Sequence, residues 1–249
     1  DTLNLTESGP FVPITFRPST GTDAINVNTD NVGFAAIQFA QTQALQSLTI
    51  GTGGQALVVL GSGTVLTTKA LSIGGTGKLD LNDNDLILDY TGASQRAVVQ
   101  ALVNSARAGG TWTGNGITST SAKNNSQHNT TLGVLEVSEY KSIYGPAAQF
   151  DGQTIDTTAV LVKYTYYGDA DFNGVVNFDD YSRIDSGFLN NRTGWLNGDF
   201  DGNGIVNFDD YSLIDLAFNT QGAPLRPLVA SRPPTTTGSR LTGLASRSA

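Results

Sequence analysis

The sequence feature that most constrains the fold is a twelve-residue loop pattern that occurs twice in the C-terminal third. The two copies begin at Asp169 and Asp199, 30 residues apart, and nine of their twelve positions are identical. Each copy has oxygen-bearing side chains at positions 1, 3, 5, 9 and 12, a glycine at position 6 for a sharp turn, and a backbone carbonyl at position 7. This is the ligand order of an EF-hand loop, so we predict one calcium ion in each copy, two in all.

The predicted ligands follow from that order. In the first loop they are Asp169, Asp171, Asn173, Val175 through its carbonyl group, Asn177 through a water molecule, and Asp180. In the second loop they are Asp199, Asp201, Asn203, Ile205 through its carbonyl group, Asn207 and Asp210. Three carboxylates in one compact loop require a divalent cation, and calcium accepts six to eight oxygen ligands in flexible geometry. A pair of metal-free acidic turns is the alternative, which so close a duplication disfavours.

Residues 168–220 resemble the dockerin type I module. The resemblance rests on DxDxNGxVNxxD occurring twice, on Asp at position 12, and on an apolar helical pattern after each loop. It implies a small α-helical module over residues 168–221 and a cohesin-like scaffold as partner. At loop positions 10 and 11 dockerins carry small hydroxyl residues, whereas this chain has Phe178–Asp179 and Phe208–Asp209. The two phenylalanines either contact a partner or pack in the core of the module.

A fainter repeat occupies the first ninety residues. Apolar triplets start at Leu3, Ile25, Leu48 and Leu71, so the steps are 22, 23 and 23 residues. Clusters of glycine and asparagine separate the short apolar segments. Short strands with glycine corners at a fixed period are typical of a β-solenoid, and we predict about four coils over residues 1–92. A β-sandwich is the alternative, because alternating segments of this length suit both architectures.

A single amphipathic helix is predicted over residues 95–108. Ser94 is a suitable N-cap, Gly109–Gly110 ends the pattern, and Val98, Leu102 and Ser105 are expected on one face. This helix is expected to cover the open end of the β stack. The predicted fold is therefore mainly β, with a β-rich domain at 1–167, an α-helical calcium module at 168–221 and a basic low-complexity tail at 222–249.

Composition excludes several classes of protein. The chain has no cysteine and so no disulfide, and it has no apolar segment long enough for a transmembrane helix. Its formal net charge is -8, and residues 222–249 contribute four arginines and no acid, which leaves -12 on the rest. Such a body would repel nucleic acid. Because the chain opens on Asp1, we expect a processed product or a fragment.

The sequence offers no convincing catalytic set, and we predict that the protein is not an enzyme. The single histidine, His128, lies in a polar segment without a partner nucleophile. Carboxylates that could serve a glycosidase are crowded into one strand–turn–strand segment, at Asp80, Asp83, Asp85 and Asp89. Trp112 and Trp195 could stack on sugars, but both are expected in the core.

The segment LDLNDNDLILDYTG at residues 79–92 resembles the autotransporter-like β repeats of secreted bacterial surface proteins. That resemblance implies an extracellular location at the surface of a bacterium. Together with the calcium loops it leads us to expect a non-enzymatic structural protein, a subunit of a surface fibre, filament or layer whose partners are other copies of itself. The alternative is a cell-surface adhesin or carbohydrate-binding protein docked on a scaffold through the calcium module.

Overall fold

The computed structural model describes residues 2–5, 14–15, 23–28 and 35–226. The strands in these ranges are β1 Thr2–Leu5, β2 Ile14–Thr15, β3 Ala24–Val27, β4 Ala35–Phe39, β5 Gln43–Leu45, β6 Ser47–Ile50, β7 Gly54–Val58, β8 Val65–Thr68, β9 Leu71–Ile73, β10 Lys78–Asp80, β11 Asp85–Asp89, β12 Gly116–Thr118, β13 Thr130–Glu136, β14 Gln149–Phe150, β15 Gln153–Thr154 and β16 Ala159–Tyr166. The α-helices are α1 Arg96–Arg107, α2 Thr120–Asn124, α3 Val137–Tyr144, α4 Phe178–Leu189 and α5 Phe208–Thr220. The predicted tail lies outside the described residues from 227 onward.

Three larger sheets and one hairpin are present in the described ranges. Sheet A has the order β1-β3-β6-β9, sheet B the order β12-β10-β7-β4-β2, and sheet C the order β13-β16-β11-β8-β5. Strands β14 and β15 form a separate antiparallel hairpin. Sheets A and B are parallel throughout, whereas β16 of sheet C runs antiparallel to both β11 and β13.

The sequence repeat corresponds to the register of the parallel strands. Leu3 pairs with Ile25, Ile25 with Leu48, and Leu48 with Leu71. Within β3 and β6, residues alternate between buried and half-buried, because each strand presents one face to the core. The repeat therefore brings like residues into ladders along sheet A.

Sheet C lies between two hydrophobic cores. One core joins it to sheets A and B and to α1, and the other joins it to α3, the hairpin and the two loop–helix segments. All eight residues of β16 are consequently buried, since both faces of the strand are covered. The side chains of Val162 and Tyr164 face the first core, and that of Leu161 faces the second.

Helix α1 corresponds to the helix predicted over residues 95–108, but it buries a different face. Ser94 Oγ accepts a hydrogen bond from the Arg96 N–H at its start (3.1 Å). The buried residues are Val99, Val103 and Ala106, whereas Val98 is 51% exposed, so the predicted face was wrong by about one position. The error arises because several apolar residues follow one another here and the pattern alone does not rank them.

The predicted fold class was wrong. The described residues are mixed α/β, with 28% helix and 31% strand, rather than a mainly β solenoid or sandwich with one capping helix. Helices α2 and α3 and the antiparallel strands β13 and β16 follow the repeat region, and they complete sheet C in a way that the 23-residue period does not encode. The separate helical module expected at 168–221 is not observed either, because its apolar residues share the second core with sheet C.

Candidate metal centre

The first loop brings three of its predicted ligands together. Carboxylate oxygens of Asp169, Asp171 and Asp180 all lie within 4.8 Å of one another, and all three residues are buried. Asp169 and Asp180 are fully inaccessible to solvent. Three carboxylates this close repel one another strongly unless a cation or protons compensate their charge.

Local hydrogen bonds hold the loop in this shape. The two carboxylate oxygens of Asp169 accept hydrogen bonds from the N–H groups of Asn173 and Gly174, both at 3.0 Å, and Oδ2 also accepts one from the Thr165 hydroxyl. Gly174 has φ of 87°, a conformation that favours glycine at this turn position. The sequence thus folds the loop around its first aspartate.

Asp180 connects the loop to helix α4. Its Oδ1 accepts a hydrogen bond from the Ala170 N–H (2.9 Å), and its Oδ2 accepts one from the Asn177 N–H (2.9 Å). The Asn177 side chain in turn accepts from the Asp179 N–H (2.7 Å), which completes a capping box at the start of the helix. The predicted ligand Asn177 is therefore positioned as a helix N-cap.

The second loop repeats this arrangement with more exposure. Carboxylate oxygens of Asp199, Asp201 and Asp210 lie within 4.8 Å of one another. Asp210 is fully buried, and it accepts hydrogen bonds from the Phe200 N–H (2.7 Å) and the Asn207 N–H (3.0 Å). Asn207 caps α5 as Asn177 caps α4.

The remaining predicted ligands lie on the turns of the two loops. The side-chain oxygen of Asn173 accepts a hydrogen bond from the Val175 N–H (2.9 Å), and that of Asn203 accepts one from the Ile205 N–H (2.8 Å). These bonds fix the turns and leave each amide oxygen a second lone pair. Ligation by the carbonyl groups of Val175 and Ile205 stays a prediction.

Two properties of the carboxylates favour a bound cation: their raised pKa values and a buried oxygen atom that lacks a hydrogen-bond donor. Burial raises the pKa of Asp180 to about 7, with the charge of Asp171 adding to the effect, and burial raises the pKa of Asp210 to about 6. Burial also raises the pKa of Asp169 well above its ordinary value. Oδ1 of Asp199 is buried and has no hydrogen-bond partner. A buried acceptor without a donor and carboxylates whose ionised form is destabilised both fit a hard divalent cation with oxygen ligands.

Residues outside the first loop anchor it to the body of the protein. Phe172, fully buried, contacts Trp195, and a side chain at Gly133 on β13 would collide with both rings. Trp195 Nε1 donates a hydrogen bond to the Asp169 carbonyl (2.8 Å), and the Tyr144 hydroxyl donates one to the Asp171 carbonyl (3.0 Å). The geometry of the first site therefore depends on residues far from the loop.

Phe178 and Phe208, the two phenylalanines at loop position 10, both lie on the surface of the protein. They are 78% and 76% exposed, so the interpretation that they pack in a core was wrong. Together with neighbouring rings on the two helices they form what we call the aromatic face: Phe178, Tyr181, Phe188, Phe208, Tyr211 and Phe218. The Tyr181 hydroxyl donates to Asp215 and the Tyr211 hydroxyl donates to Asp185, both at 2.5 Å. The rings thus form two matching groups, one where α4 begins and α5 ends and the other where α5 begins and α4 ends.

No helix in the described ranges combines the length and the apolar character needed to cross a membrane. Comparison of the chain with family models, with curated proteins and with solved structures gives no match. The dockerin resemblance therefore rests on the sequence patterns of residues 168–220 alone.

Proposed function

We propose that this chain is a calcium-stabilised structural protein of the bacterial cell surface, without enzymatic activity, which assembles with other copies of itself. The observation that carries the proposal is the aromatic face on helices α4 and α5, whose starting points are fixed by the two carboxylate loops. Exposed apolar patches of this kind mark protein–protein contacts. Calcium holds the loops and thereby presents the face.

Calcium is the cation that best suits the loops. Each offers three carboxylates, an asparagine oxygen and a turn carbonyl, a set of hard oxygen ligands that matches calcium rather than zinc. Extracellular modules bind calcium with dissociation constants of about 10⁻⁴–10⁻³ M, which the calcium outside cells can occupy. An extracellular location is proposed on this ground and on the resemblance of residues 79–92 to surface-protein repeats.

Structural roles for the candidate catalytic residues support a non-enzymatic function. Asp80 accepts hydrogen bonds from the Asn82 and Thr120 N–H groups, and Asp83 accepts one from the Gly61 N–H, so both fix turns. His128 is exposed at a turn with φ of 51°. Trp112 and Trp195 are buried, which leaves neither ring free to stack on a sugar.

The test is assembly of the purified full chain with calcium, followed by light scattering and electron microscopy. We expect calcium-dependent particles larger than the monomer, and we expect Phe178→Ser with Phe208→Ser to remove them without loss of calcium binding. Leu60→Ser is the matched control, because Leu60 is 64% exposed and lies between β7 and β8 rather than on α4 or α5. A full chain that stays monomeric with both loops loaded would disprove self-assembly.

A cohesin-like scaffold is the second candidate partner, and the same aromatic face favours it. Docking on a scaffold would make this chain a surface-attached adhesin or carbohydrate-binding protein. Binding of a cohesin domain by the monomer, abolished by the same pair of substitutions, would support this alternative over self-assembly. Release of sugars from plant, algal or bacterial polysaccharides by the full chain would contradict both.

A further inference from the structure

A cluster of four charged side chains lies in the second core, away from the calcium loops. It consists of Lys163 on β16, Asp85 at the start of β11, Asp151 in the β14–β15 hairpin and Arg226 after α5. Lys163 and Asp85 are fully buried, and Asp151 has only 7% of its side chain exposed. Fully buried lysine and aspartate are rare, because removing an ionised group from water costs several kcal/mol.

The lysine and one carboxyl group are in direct contact. Lys163 Nζ lies 2.8 Å from Asp151 Oδ2 and 3.8 Å from Asp85 Oδ2. The ring of Phe150, which is itself buried, lies 5.3 Å from the same nitrogen. An amine, a carboxyl group and a second carboxyl group are thus enclosed together in apolar surroundings.

The hairpin holds Asp151 in this place. Asp151 and Gly152 have φ of 45° and 79°, which are the left-handed conformations of a two-residue hairpin turn. An aspartate at such a turn ordinarily faces solvent, whereas here its carboxyl group points inward to Lys163. Phe150 anchors the adjacent strand in the core, so the contact is fixed by packing as well as by charge.

Asp85 is suited to move protons between the two reacting groups. Burial raises the pKa of Asp85 well above its ordinary value, although the charge of Lys163 acts against this. Burial would also raise the pKa of Asp151, but the hydrogen bond from Asp85 and the charge of Lys163 hold it below its ordinary value. These opposite shifts of pKa favour a proton on Asp85 over one on Asp151, and Arg226 Nη1, 2.6 Å from Asp85 Oδ2, stabilises the Asp85 carboxylate when that proton leaves.

We propose that Lys163 and Asp151 condense to an intramolecular amide bond, with Asp85 as the catalytic acid and base. The Lys163 ammonium first gives a proton to the Asp151 carboxylate, and the neutral amine then attacks Cγ of Asp151. Asp85 donates its proton to the departing hydroxyl, which leaves as water, and takes back a proton from the nitrogen. One N–C bond forms, one C–O bond breaks, one water is released and no oxidant is needed.

Enclosure makes this reaction feasible where free amines and carboxylates in water do not condense. Groups held in contact react with effective concentrations of about 10⁵–10⁸ M. The product also removes the two buried charges of Lys163 and Asp151. In a chain without cysteine the amide would provide the covalent link that a disulfide provides elsewhere.

Intact mass of the purified full chain in calcium tests the proposal without any substitution. We expect a mass lower than that of the sequence by one water molecule. Trypsin should then fail to cleave after Lys163 and should yield one peptide over residues 142–183, instead of separate peptides 142–163 and 164–183. Further cleavage before Asp156 should leave the two parts of that peptide joined. A full, undiminished mass would overturn the proposal.

Two variants separate the amide from other losses of water. Cyclisation of the Asp151–Gly152 backbone also removes one water, but it leaves the Lys163 bond open to trypsin. Lys163→Arg should restore the full mass, and a deficit that persists in this variant would mean cyclisation and overturn the proposal. Asp85→Asn keeps both reacting groups and should also show the full mass, whereas an unchanged deficit would refute the role assigned to Asp85.

Discussion

At the scale of single residues, Asp180 and Asp210 each have two tasks. Each carboxylate caps the N-terminus of its helix and also contributes charge to the carboxylate cluster of its loop. The two tasks differ in what they require, since a cap needs only an acceptor oxygen and a calcium ligand at this position needs the charge. Replacing Asp180 or Asp210 with asparagine therefore separates helix capping from calcium binding.

Asp180→Asn is expected to reduce bound calcium from two ions to one while α4 persists. The exposed neighbour Asp179→Asn is the matched control and should leave both ions bound. Calorimetric titration gives the stoichiometry, and circular dichroism reports the helix. Loss of both ions, or of neither, would contradict independent loops. In free calcium of about 100 times the dissociation constant, each lost ion should lower the free energy of unfolding by about 2.7 kcal/mol.

The pKa values of the loop carboxylates predict how calcium binding responds to pH. The pKa of Asp180, about 7 in the folded protein, is raised above the value of about 3.9 for an unfolded chain. Protonation therefore stabilises the calcium-free fold at low pH, and this contribution is lost as pH rises through about 7. Calcium competes with the same protons, so its affinity should rise over that range.

Melting temperatures in chelator and calcium affinities, both measured between pH 5 and pH 8, check this expectation. Without calcium the melting temperature should fall as pH rises, and with calcium the fall should be smaller. A double variant Asp180→Asn with Asp210→Asn should lose most of this dependence. A calcium-free protein that gains stability towards pH 8 would contradict the assignment.

At the scale of elements, the segment after α5 links the first loop to sheet C. The Gln221 side chain accepts a hydrogen bond from the Val176 N–H (2.8 Å) and donates one to the Val176 carbonyl (2.7 Å). The Leu225 N–H donates to the Gly174 carbonyl (2.8 Å), and Arg226 reaches the carbonyl of Gly63 (3.0 Å). Six residues thus connect a metal loop with the charged cluster in the core.

Arg226→Ala is expected to lower the free energy of unfolding by about 1.5–3 kcal/mol, because it removes a charged partner from the fully buried Asp85. Arg192→Ala is the matched control, since Arg192 is exposed, and it should have little effect. Urea denaturation in calcium measures both. Equal stability of the two variants would show that the contact between Arg226 and Asp85 contributes nothing.

Sequence patterns predicted the elements whose signals are local. The constant step between apolar triplets predicted which residues pair in sheet A, because each strand pairs with the next copy of the repeat. Ser94 and Gly109–Gly110 predicted helix α1, because the signals that begin and end a helix lie next to it in the sequence. The loop pattern brought the correct aspartates together for the same reason. Helix α3 begins at a capping box between Glu136 and Glu139 that the sequence does contain, and it could have been found there.

The sequence could not reveal features that depend on distant contacts. Lys163 lies in an apolar strand where a lysine is unusual, but its burial results from the cores on both sides of sheet C. The exposure of Phe178 and Phe208 likewise depends on how the helices pack. Both residues belong to an apolar helical pattern, which does not show which of its members are buried. The sequence of one strand or helix does not show which of its faces another element will cover.

At the scale of the whole molecule, the second core makes the loops and the sheets one cooperative unit. Phe172 and Trp195 pack against β13 at Gly133, and Ile214 packs in the same core. A fragment of residues 168–221 lacks that surface. We expect it to stay largely unfolded in calcium, whereas the full chain should melt in one transition that moves upward as calcium is added.

Scanning calorimetry of the full chain and circular dichroism of the fragment test this cooperativity. Two separate transitions in the full chain, of which only one responds to calcium, would contradict a shared core. A fragment that folds with calcium at full helical content would do so as well. The full-chain variant Gly133→Ala, which places a side chain against both rings, should lower the calcium-dependent transition temperature.

The return of the chain from α5 to sheet C determines how the protein would respond to mechanical load. A pull applied through residues 227–249 reaches Arg226 first, and from there it passes to Asp85 in the middle of sheet C. The two calcium loops lie outside that path as long as the anchor at Arg226 holds. Tension between neighbouring subunits would therefore be borne by sheet C, and the bound ions would be released only after the anchor had broken.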